Sequence, residues 1–266
     1  MTNKIEIKNL YFDYVGKKKA FEALDDINLN VKEGEFICIL GSSGCGKSTL
    51  LSILNGLNKA KSGEIRIDGK EVTGPGVNRA TVFQNYSLFP WKTVKGNVSF
   101  GAKQSAKRRE YSRAEREQRV LQYIEKVGLL NSKDKYPNEL SGGMQQRVAI
   151  ARALALEADI LLLDEPFSAL DPKLRFELQE LVSRLSKEHN KTVIFITHDI
   201  DEAILLADRI VVMEPKKIKS ILDVNLTYPR LRDELVGRDD YEILHKKLIS
   251  LFYENVEESI DLEVVL

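Results

Sequence analysis

Residues 41–49 read Gly41-Ser42-Ser43-Gly44-Cys45-Gly46-Lys47-Ser48-Thr49 and fit the pattern G-x-x-x-x-G-K-[ST]. The apolar run at 35–40, directly before them, predicts a buried strand. Leu50, Leu51 and Leu54, directly after them, have helical spacing. This stretch, called the phosphate loop below, therefore has the strand–loop–helix context that its pattern requires, and it decides the fold.

The chemistry of the phosphate loop follows from its glycines and its lysine. Glycine lets the backbone turn tightly and approach a ligand closely, and the free amides at a helix start favour an anion. We expect Lys47 to add a positive charge beside the outer phosphates and the Ser48 hydroxyl to bind Mg²⁺. The expected ligand is a nucleoside triphosphate, held by Gly41, Ser42, Ser43, Gly44, Cys45, Gly46, Lys47, Ser48 and Thr49.

The composition is that of a soluble globular protein. The 266 residues include 40 Lys and Arg against 40 Asp and Glu, so no overall field attracts nucleic acid or anionic lipid. The basic run Lys107-Arg108-Arg109 is compatible with a nucleic-acid patch, but with this charge balance we interpret it as a solvated helix face. The two cysteines, Cys38 and Cys45, are expected to be a core residue and a loop filler in a reducing compartment. Because no apolar stretch reaches membrane-spanning length, we expect any membrane role to depend on a partner.

Hydrophobic periodicity predicts a chain that alternates between strands and helices. Strands are predicted at 4–12, 23–31, 35–40, 65–69, 80–83, 160–163, 193–196 and 210–213. Helices are predicted between about 96 and 156, where Ser112 and Glu115 form a capping box and Gly128 ends a helix. A further helix is predicted in the tail after Lys219.

Polar side chains follow three of the predicted strands. Asp164 and Glu165 end one of them, and ligands bind at the carboxyl ends of parallel strands. We expect Asp164 to hold Mg²⁺ through water and Glu165 to act as general base on an attacking water. Gln84 and His198 follow two other strands, where an amide can touch a metal ion and an imidazole can touch a phosphate.

A second predicted helix start decides how these side chains are interpreted together. Ser141 is a helix cap followed by two glycines in Leu140-Ser141-Gly142-Gly143-Met144-Gln145, here called the signature segment, so another open amide end is expected. Over nearly its whole length the chain resembles the nucleotide-binding subunit of an ATP-binding cassette (ABC) transporter. The matching features, in chain order, are residues 41–48, Gln84, the signature segment, residues 160–165, Ser168-Ala169-Leu170-Asp171 and His198.

This resemblance implies an α/β fold, with a RecA-like P-loop NTPase core, an antiparallel β subdomain and an inserted α-helical subdomain. It places an ABC ATPase domain at 4–235, with the core at about 4–95 and 157–218 and the helical subdomain at about 96–156. Residues 236–266 would form a C-terminal helical tail.

The resemblance also implies a homodimer that hydrolyses ATP with Mg²⁺. Two copies would pair head to tail, so that each ATP lies between the phosphate loop of one copy and the signature segment of the other. Ser141 and Gly143 would contact the partner's ATP, and Asp171 would couple the two sites. His198 would contact the γ-phosphate and hold the water with Glu165. The implied catalytic residues are Glu165, His198, Gln84 and Lys47, and the implied metal ligands are Ser48, Gln84 and Asp164.

An aromatic residue ahead of the phosphate loop stacks on adenine in this family. We predict Tyr14 for this role. The polar turn Lys17-Lys18-Lys19 makes the register uncertain, and Phe12 and Phe21 are the alternatives.

Residues 84–91, here called the docking segment, carry exposed aromatic side chains, which are common at interfaces. In the family this region receives the membrane permease, and Phe89-Pro90-Trp91 is similar to importers of the nitrate, sulfonate and taurine group, as is the stretch from Tyr228 to Asp233. The implied location is the cytoplasmic face of the cell membrane, with an extracytoplasmic solute-binding protein as an indirect partner. The short tail argues against an added regulatory domain.

Two other classes were weighed against this interpretation. ABC ATPases of DNA repair insert a long coiled coil between phosphate loop and signature, and those of translation usually carry two cassettes, whereas this chain has a short interval and one cassette. A P-loop small-molecule kinase would lack residues 141–145. Import rather than export rests on the resemblance alone, and the sequence does not identify the solute.

Overall fold

The structure is a computed structural model that describes residues 3–15, 20–168, 170–228, 230, 235 and 237–263, with side chains up to 253. The turn at 17–19, Ala169, Pro229 and residues 231–233, which the sequence analysis singled out, lie outside the described residues. The chain forms two compact units. The first unit contains residues 1–74 and 194–266, and the second contains residues 75–193. The boundaries predicted for the core and the helical subdomain stay a prediction.

The strands and helices are numbered in chain order. The strands are β1 (Asn3–Val15), β2 (Ala20–Lys32), β3 (Phe36–Gly41), β4 (Ser62–Ile67), β5 (Lys70–Glu71), β6 (Arg79–Val82), β7 (Ile160–Asp164), β8 (Thr192–Thr197), β9 (Arg209–Glu214) and β10 (Lys217–Asp223). The helices are α1 (Lys47–Leu54), α2 (Val94–Gln104), α3 (Arg113–Lys126), α4 (Gly142–Ala155), α5 (Pro172–Glu188), α6 (Ile200–Leu206) and α7 (Asp239–Glu263). Short 3₁₀ turns lie at 106–109, 130–132 and 137–139.

The first unit contains an antiparallel sheet with the strand order β2-β1-β4-β5. β1 and β2 alternate between buried and exposed residues, as the sequence predicted. Ile5, Ile7 and Leu10 of β1 are buried, because successive side chains of a strand point to opposite faces. One face of β1 and of β2 therefore contributes to the core of the unit.

The first unit also contains strands that are buried on both faces. β3 pairs in parallel with β9, and all six residues of β3 are buried, as the apolar run at 35–40 predicted. β10 pairs antiparallel with β9 and was not predicted. The turn before β10 places Lys216 at φ 72°, without the Asn-Gly or Asp-Gly signal that marks most tight hairpins.

The second unit combines parallel strands with capped helices. β6 and β7 pair in parallel. The predicted capping box is confirmed, since Ser112 accepts from Glu115 N while Glu115 accepts from Ser112 N at the start of α3. Gly128 follows α3 with φ 70°, the left-handed conformation that ends many helices. Residues 94–155 contain helices and turns and no strand.

The predicted C-terminal helix is confirmed as α7, and it packs within the first unit. Tyr241 Oη donates to Asp201 Oδ1 of α6 at 2.7 Å, and Leu248 is fully buried. Within the residues that the structure describes, no helix is both long enough and apolar enough to cross a bilayer.

Candidate functional site

The phosphate loop joins β3 to α1 through backbone that only glycine accommodates. Gly46 precedes the first residue of α1 with φ 112°, and Gly44 has φ 81°. A Cβ added at Gly46 would lie 2.8 Å from the carbonyl oxygen of Ala23 in β2. The loop is therefore packed closely on its inner side, while Ser42, Ser43 and Gly44 are exposed on its outer side. The outer side of the loop is therefore accessible to a phosphate group.

Lys47 is held inside the phosphate loop by backbone oxygens. Its side chain is buried, with 5% of the residue exposed, and Nζ donates to the carbonyl oxygens of Gly41 and Ser42, each at 2.8 Å. An ammonium group has three donors in variable directions. The positive charge is therefore fixed against the backbone of the phosphate loop.

The two cysteines have the structural places that the sequence predicted. Cys38 lies in the buried β3, and Cys45 is buried in the phosphate loop with Sγ 4.0 Å from Lys47 Nζ. Burial raises the pKa of both thiols, that of Cys38 strongly. Both are therefore neutral thiols at physiological pH and act as small apolar fillers.

Three aromatic residues ahead of the phosphate loop differ in exposure. Tyr14 is 44% exposed, and its hydroxyl lies 3.1 Å from Oγ1 of Thr49 in α1. Phe12 is buried and contacts the Tyr14 ring edge to face, with centroids 4.9 Å apart. Phe21 is 62% exposed and lies opposite Tyr14 across the β1–β2 ladder. Tyr14 and Phe21 are thus both accessible. Of the three aromatic residues, Tyr14 is the one whose side chain hydrogen-bonds to Thr49 of the phosphate loop.

His198 is an exposed residue directly after β8 in the first unit. The turn that carries it is fixed on both sides. Asp199 N donates to Thr197 Oγ1 at 3.0 Å, and Asp199 Oδ1 accepts from Glu202 N at 3.1 Å, which caps α6. His198 therefore projects from an ordered strand end, as predicted.

In the second unit, Asp164 ends β7 and Glu165 follows it with φ 42°. A left-handed conformation is unfavourable for a residue with a Cβ and costs about 1 kcal/mol or more. Ser168 supports this turn by donating from Oγ to the Glu165 carbonyl oxygen at 3.1 Å. The two carboxylates that the sequence placed at a strand end are therefore partly buried and held in a fixed turn.

The docking segment follows β6 and exposes aromatic surface. Gln84 is exposed, and Trp91 is 71% exposed. The Phe89 ring lies 5.6 Å from the Trp91 ring and 4.7 Å from the Phe100 ring, centroid to centroid. These three rings form a half-exposed apolar group on the surface of the second unit.

Two residues that the sequence analysis missed fix the docking segment. Arg152 of α4 donates to the carbonyl oxygens of Ser87 at 2.7 Å and Tyr86 at 3.0 Å, and its guanidinium lies 5.6 Å from the Phe89 ring centre. Asn97 of α2 is fully buried and forms a pair of hydrogen bonds with the backbone of Phe89. No local sequence signal marks either residue, because an arginine or asparagine within a helix is usually a surface residue.

The signature segment begins α4, as predicted. Ser141 caps the helix, with Oγ accepting from Met144 N at 3.4 Å, and both Ser141 and Gly142 are exposed. A Cβ added at Gly143 would lie 2.4 Å from Leu174 Cδ2, so a side chain at this position would require Leu174 of α5 to shift. Asp171 caps α5 by accepting from Leu174 N at 3.1 Å. The starts of α4 and α5 therefore lie beside each other in the second unit.

Comparison with known proteins shows the family. Residues 24–168 match the family described as ABC transporter. The chain belongs to the ABC transporter family. This ABC transporter chain is 44% identical over 252 residues to a nitrate import ATP-binding protein of Synechococcus elongatus, covering 92% of this chain and 91% of the relative. It is 42% identical to a bicarbonate transport ATP-binding protein of a Synechocystis strain, covering 94% of this chain and 89% of the relative.

Solved structures of ABC cassettes have the same fold. A dimeric structure of the cassette MJ0796 is similar with a TM-score of 0.76 at 35% identity, covering 84% of this chain and 100% of that chain. A post-hydrolysis state of MJ0796 bound to ADP and Pi has a TM-score of 0.76 at 34% identity, with the same coverage. The predicted family, the RecA-like P-loop NTPase fold and the ATPase activity are therefore confirmed.

Arg152 provides a test of how the docking segment is held in this ABC ATPase. We expect Arg152→Gln to raise the rate of amide hydrogen exchange across residues 85–91 about tenfold, because two charge-assisted hydrogen bonds to the Tyr86 and Ser87 carbonyls are lost. Exchange is measured by mass spectrometry on peptides from this segment. Arg184→Gln, on the exposed face of α5, is the matched control and should leave the exchange unchanged. Equal exchange in the two variants would remove Arg152 from this role.

Proposed function

We propose that this chain hydrolyses ATP to drive uptake of a small solute of the nitrate, sulfonate and taurine type through a partner permease. The likeness to a nitrate import ATP-binding protein over 92% of the chain carries the proposal. The relative named for bicarbonate transport supports a small anion as the solute. The exposed amides of the phosphate loop beside the fixed Lys47 ammonium support the binding of triphosphate.

ATP binding is assigned to the phosphate loop. The amides of residues 42–48 surround the β- and γ-phosphates, and the Lys47 ammonium, already held by two carbonyl oxygens, neutralises them without further ordering. The residues proposed to contact nucleotide in this loop are Gly41, Ser42, Ser43, Gly44, Cys45, Gly46, Lys47, Ser48 and Thr49. Tyr14 is proposed to stack on adenine, because its hydroxyl is anchored on Thr49 while much of its ring is exposed.

Mg²⁺ is assigned to oxygen ligands, as its chemistry demands. The proposed ligands are the Ser48 hydroxyl, the Gln84 amide oxygen and the Asp164 carboxylate, the last acting through water. Each of the three side chains offers an oxygen donor, Ser48 and Gln84 are exposed, and Asp164 ends β7 and is only partly buried. When bound, the ion screens the charge that develops on the phosphates.

Hydrolysis is assigned to an in-line attack by water on the γ-phosphorus. The water oxygen forms a bond to phosphorus, the bond from phosphorus to the ADP oxygen breaks, and Glu165 accepts the proton of the water. The fixed turn at Glu165 limits the positions that its carboxylate can take. His198 is proposed to contact the γ-phosphate, and Gln84 to position the water.

A homodimer is proposed because the signature segment has an exposed helix start. Ser141 and Gly143 would offer α4 amides to the ATP of the partner copy, and Asp171 would couple the two sites from the start of α5. The dimeric structures of MJ0796, at 34% and 35% identity, support this assembly.

The permease is proposed to bind the docking segment from Gln84 to Trp91, whose exposed rings suit an interface. The chain would then be a peripheral subunit at the cytoplasmic face of the membrane. An extracytoplasmic solute-binding protein would be an indirect partner, and no role for nucleic acid is proposed.

The role of Glu165 is tested by Glu165→Gln. We expect ATP hydrolysis to fall at least about 100-fold, because the amide cannot accept the proton of the attacking water. ATP binding should persist, and size-exclusion chromatography with ATP should show a stable dimer. Glu180→Gln, on the exposed face of α5, is the control and should hydrolyse ATP at the wild-type rate. Retained hydrolysis in Glu165→Gln would refute this assignment.

The adenine contact is tested by comparing Tyr14→Ala with Phe21→Ala. We expect Tyr14→Ala to weaken the Kd for MgATP about tenfold, since stacking of a base on an aromatic ring is worth about 1–3 kcal/mol. Tyr14→Phe keeps the ring and should bind nearly as well as the wild type. Loss of affinity in Phe21→Ala alone, measured by titration calorimetry, would move the contact to Phe21.

The permease contact is tested by Trp91→Ala. We expect co-purification with the permease subunits and solute uptake by cells to be lost, because a central aromatic anchor typically contributes about 2 kcal/mol or more to an interface. Ile243→Ala removes a side chain of similar exposure from α7 and serves as control. An intact complex with full uptake in Trp91→Ala would place the permease elsewhere.

A further inference from the structure

The second unit contains a cavity of about 760 Å³ whose wall is mainly basic. It is lined by Lys95, Ser99, Ala102, Lys103, Gln104, Arg108, Arg109, Arg113, Arg116, Glu117 and Val120. These residues come from α2, the turn at 106–109 and α3. None of them belongs to the residues proposed to bind ATP or the permease.

The charge of this basic cavity is far from the average of the chain. Its wall has six cationic side chains against one carboxylate, whereas the whole chain has a formal net charge of 0. Concave walls with one sign of charge concentrate the field and attract ions of the opposite sign. The cavity therefore has the electrostatics of an anion site.

Most of these cations are not neutralised within the wall. Lys95 forms an ion pair with Glu117, the single carboxylate. Arg108 donates to the Lys103 carbonyl oxygen at 3.3 Å, and Arg116 donates to the Arg108 and Tyr111 carbonyl oxygens at 2.7 and 2.9 Å. Carbonyl oxygens orient a guanidinium without cancelling its charge. These two arginines therefore fix the turn at 106–109 and keep the wall positive.

The remaining three cations are placed to meet a ligand. Lys103, Arg109 and Arg113 are exposed, and within the described part of the chain none of them forms an ion pair. They come from three separate segments, namely the last turn of α2, the 3₁₀ turn and the first residue of α3. Arginine side chains bind phosphate oxygens in pairs of parallel hydrogen bonds.

The shape of the cavity favours a compact ligand over a flat surface. Its lining includes Val120, which is 2% exposed, and the partly buried Ser99 and Ala102. A volume of about 760 Å³ lies within the range of pockets that enclose a small molecule, about 300–1,000 Å³. A volume of this size therefore suits a small molecule.

We propose that the basic cavity binds a soluble, phosphorylated small molecule that carries several negative charges. Lys103, Arg109 and Arg113 contact its phosphates, while Arg108 and Arg116 supply the surrounding field. The ligand is additional to the ATP at the phosphate loop, and the proposal does not depend on the transported solute or on hydrolysis.

The experiment uses the full chain with its phosphate loop filled by saturating MgADP, and inorganic tripolyphosphate as the probe. Titration calorimetry should show one site per chain. Arg109→Gln with Arg113→Gln should weaken the Kd at least about tenfold, because two charge-assisted contacts are lost. Arg109→Lys with Arg113→Lys keeps both charges and should weaken binding less.

The control is Lys70→Gln with Lys246→Gln, which removes the same charge from exposed positions in the first unit. It should change the Kd less than about twofold. The proposal is overturned if the wild type binds no tripolyphosphate, or if both double variants to glutamine lose affinity equally. It is also overturned if only vesicles with anionic phospholipid bind the wild type, because the cavity would then serve a membrane surface.

Discussion

The hydrogen bonds that fix the Lys47 ammonium are the interaction around which the phosphate loop of the first unit is arranged. Two backbone carbonyls hold it, and Gly41 and Gly46 let that backbone pack with no room for side chains at these two positions. A Cβ at Gly41 would lie 2.8 Å from the carbonyl oxygen of Met213 in β9, so the loop also packs closely on the neighbouring strand. A buried charge is tolerable only where polar groups surround it. The loop therefore holds a charge ready for an anion before any ligand arrives.

In the second unit, backbone in an unfavourable conformation likewise holds segments with a proposed role in place. Glu165, Tyr86 and Ser87 all have positive φ, at 42°, 61° and 47°, although none of them is glycine. Each of these residues belongs to a segment with a proposed role in hydrolysis or docking. Hydrogen bonds from Ser168 and Arg152 to the carbonyls of these residues offset part of the strain. Glu157 and Asn190 of the same unit also have positive φ, at 56° and 47°, so left-handed backbone is not confined to the segments with a proposed role.

Structural features that depend only on neighbouring residues were predicted from the sequence. The phosphate loop, the caps at Ser112 and Ser141 and the apolar β7 were found because each signal lies within a few residues. Contacts distant in sequence were not found. Arg152 reaches a carbonyl 65 residues away, and β10 depends on pairing with β9. The run Lys107-Arg108-Arg109 was interpreted as a solvated face, because the two lysines of α2 and the two arginines of α3 that complete the cavity are brought to it only by folding.

Helix α4 connects the docking segment to the signature segment by rigid geometry. Arg152, near its end, holds the carbonyls of Tyr86 and Ser87, and a Cβ added at Gly142, its first residue, would lie 3.2 Å from Tyr86 Oη. These two points on α4 are about 15 Å apart at 1.5 Å per residue. The docking segment therefore contacts both ends of one helix. A shift of that segment must either break the hydrogen bonds of Arg152 or move α4 as well. In the proposed dimer, α4 presents Ser141 to the nucleotide of a partner copy. The permease and the site of hydrolysis would then be linked by one rigid element rather than by a chain of weak contacts.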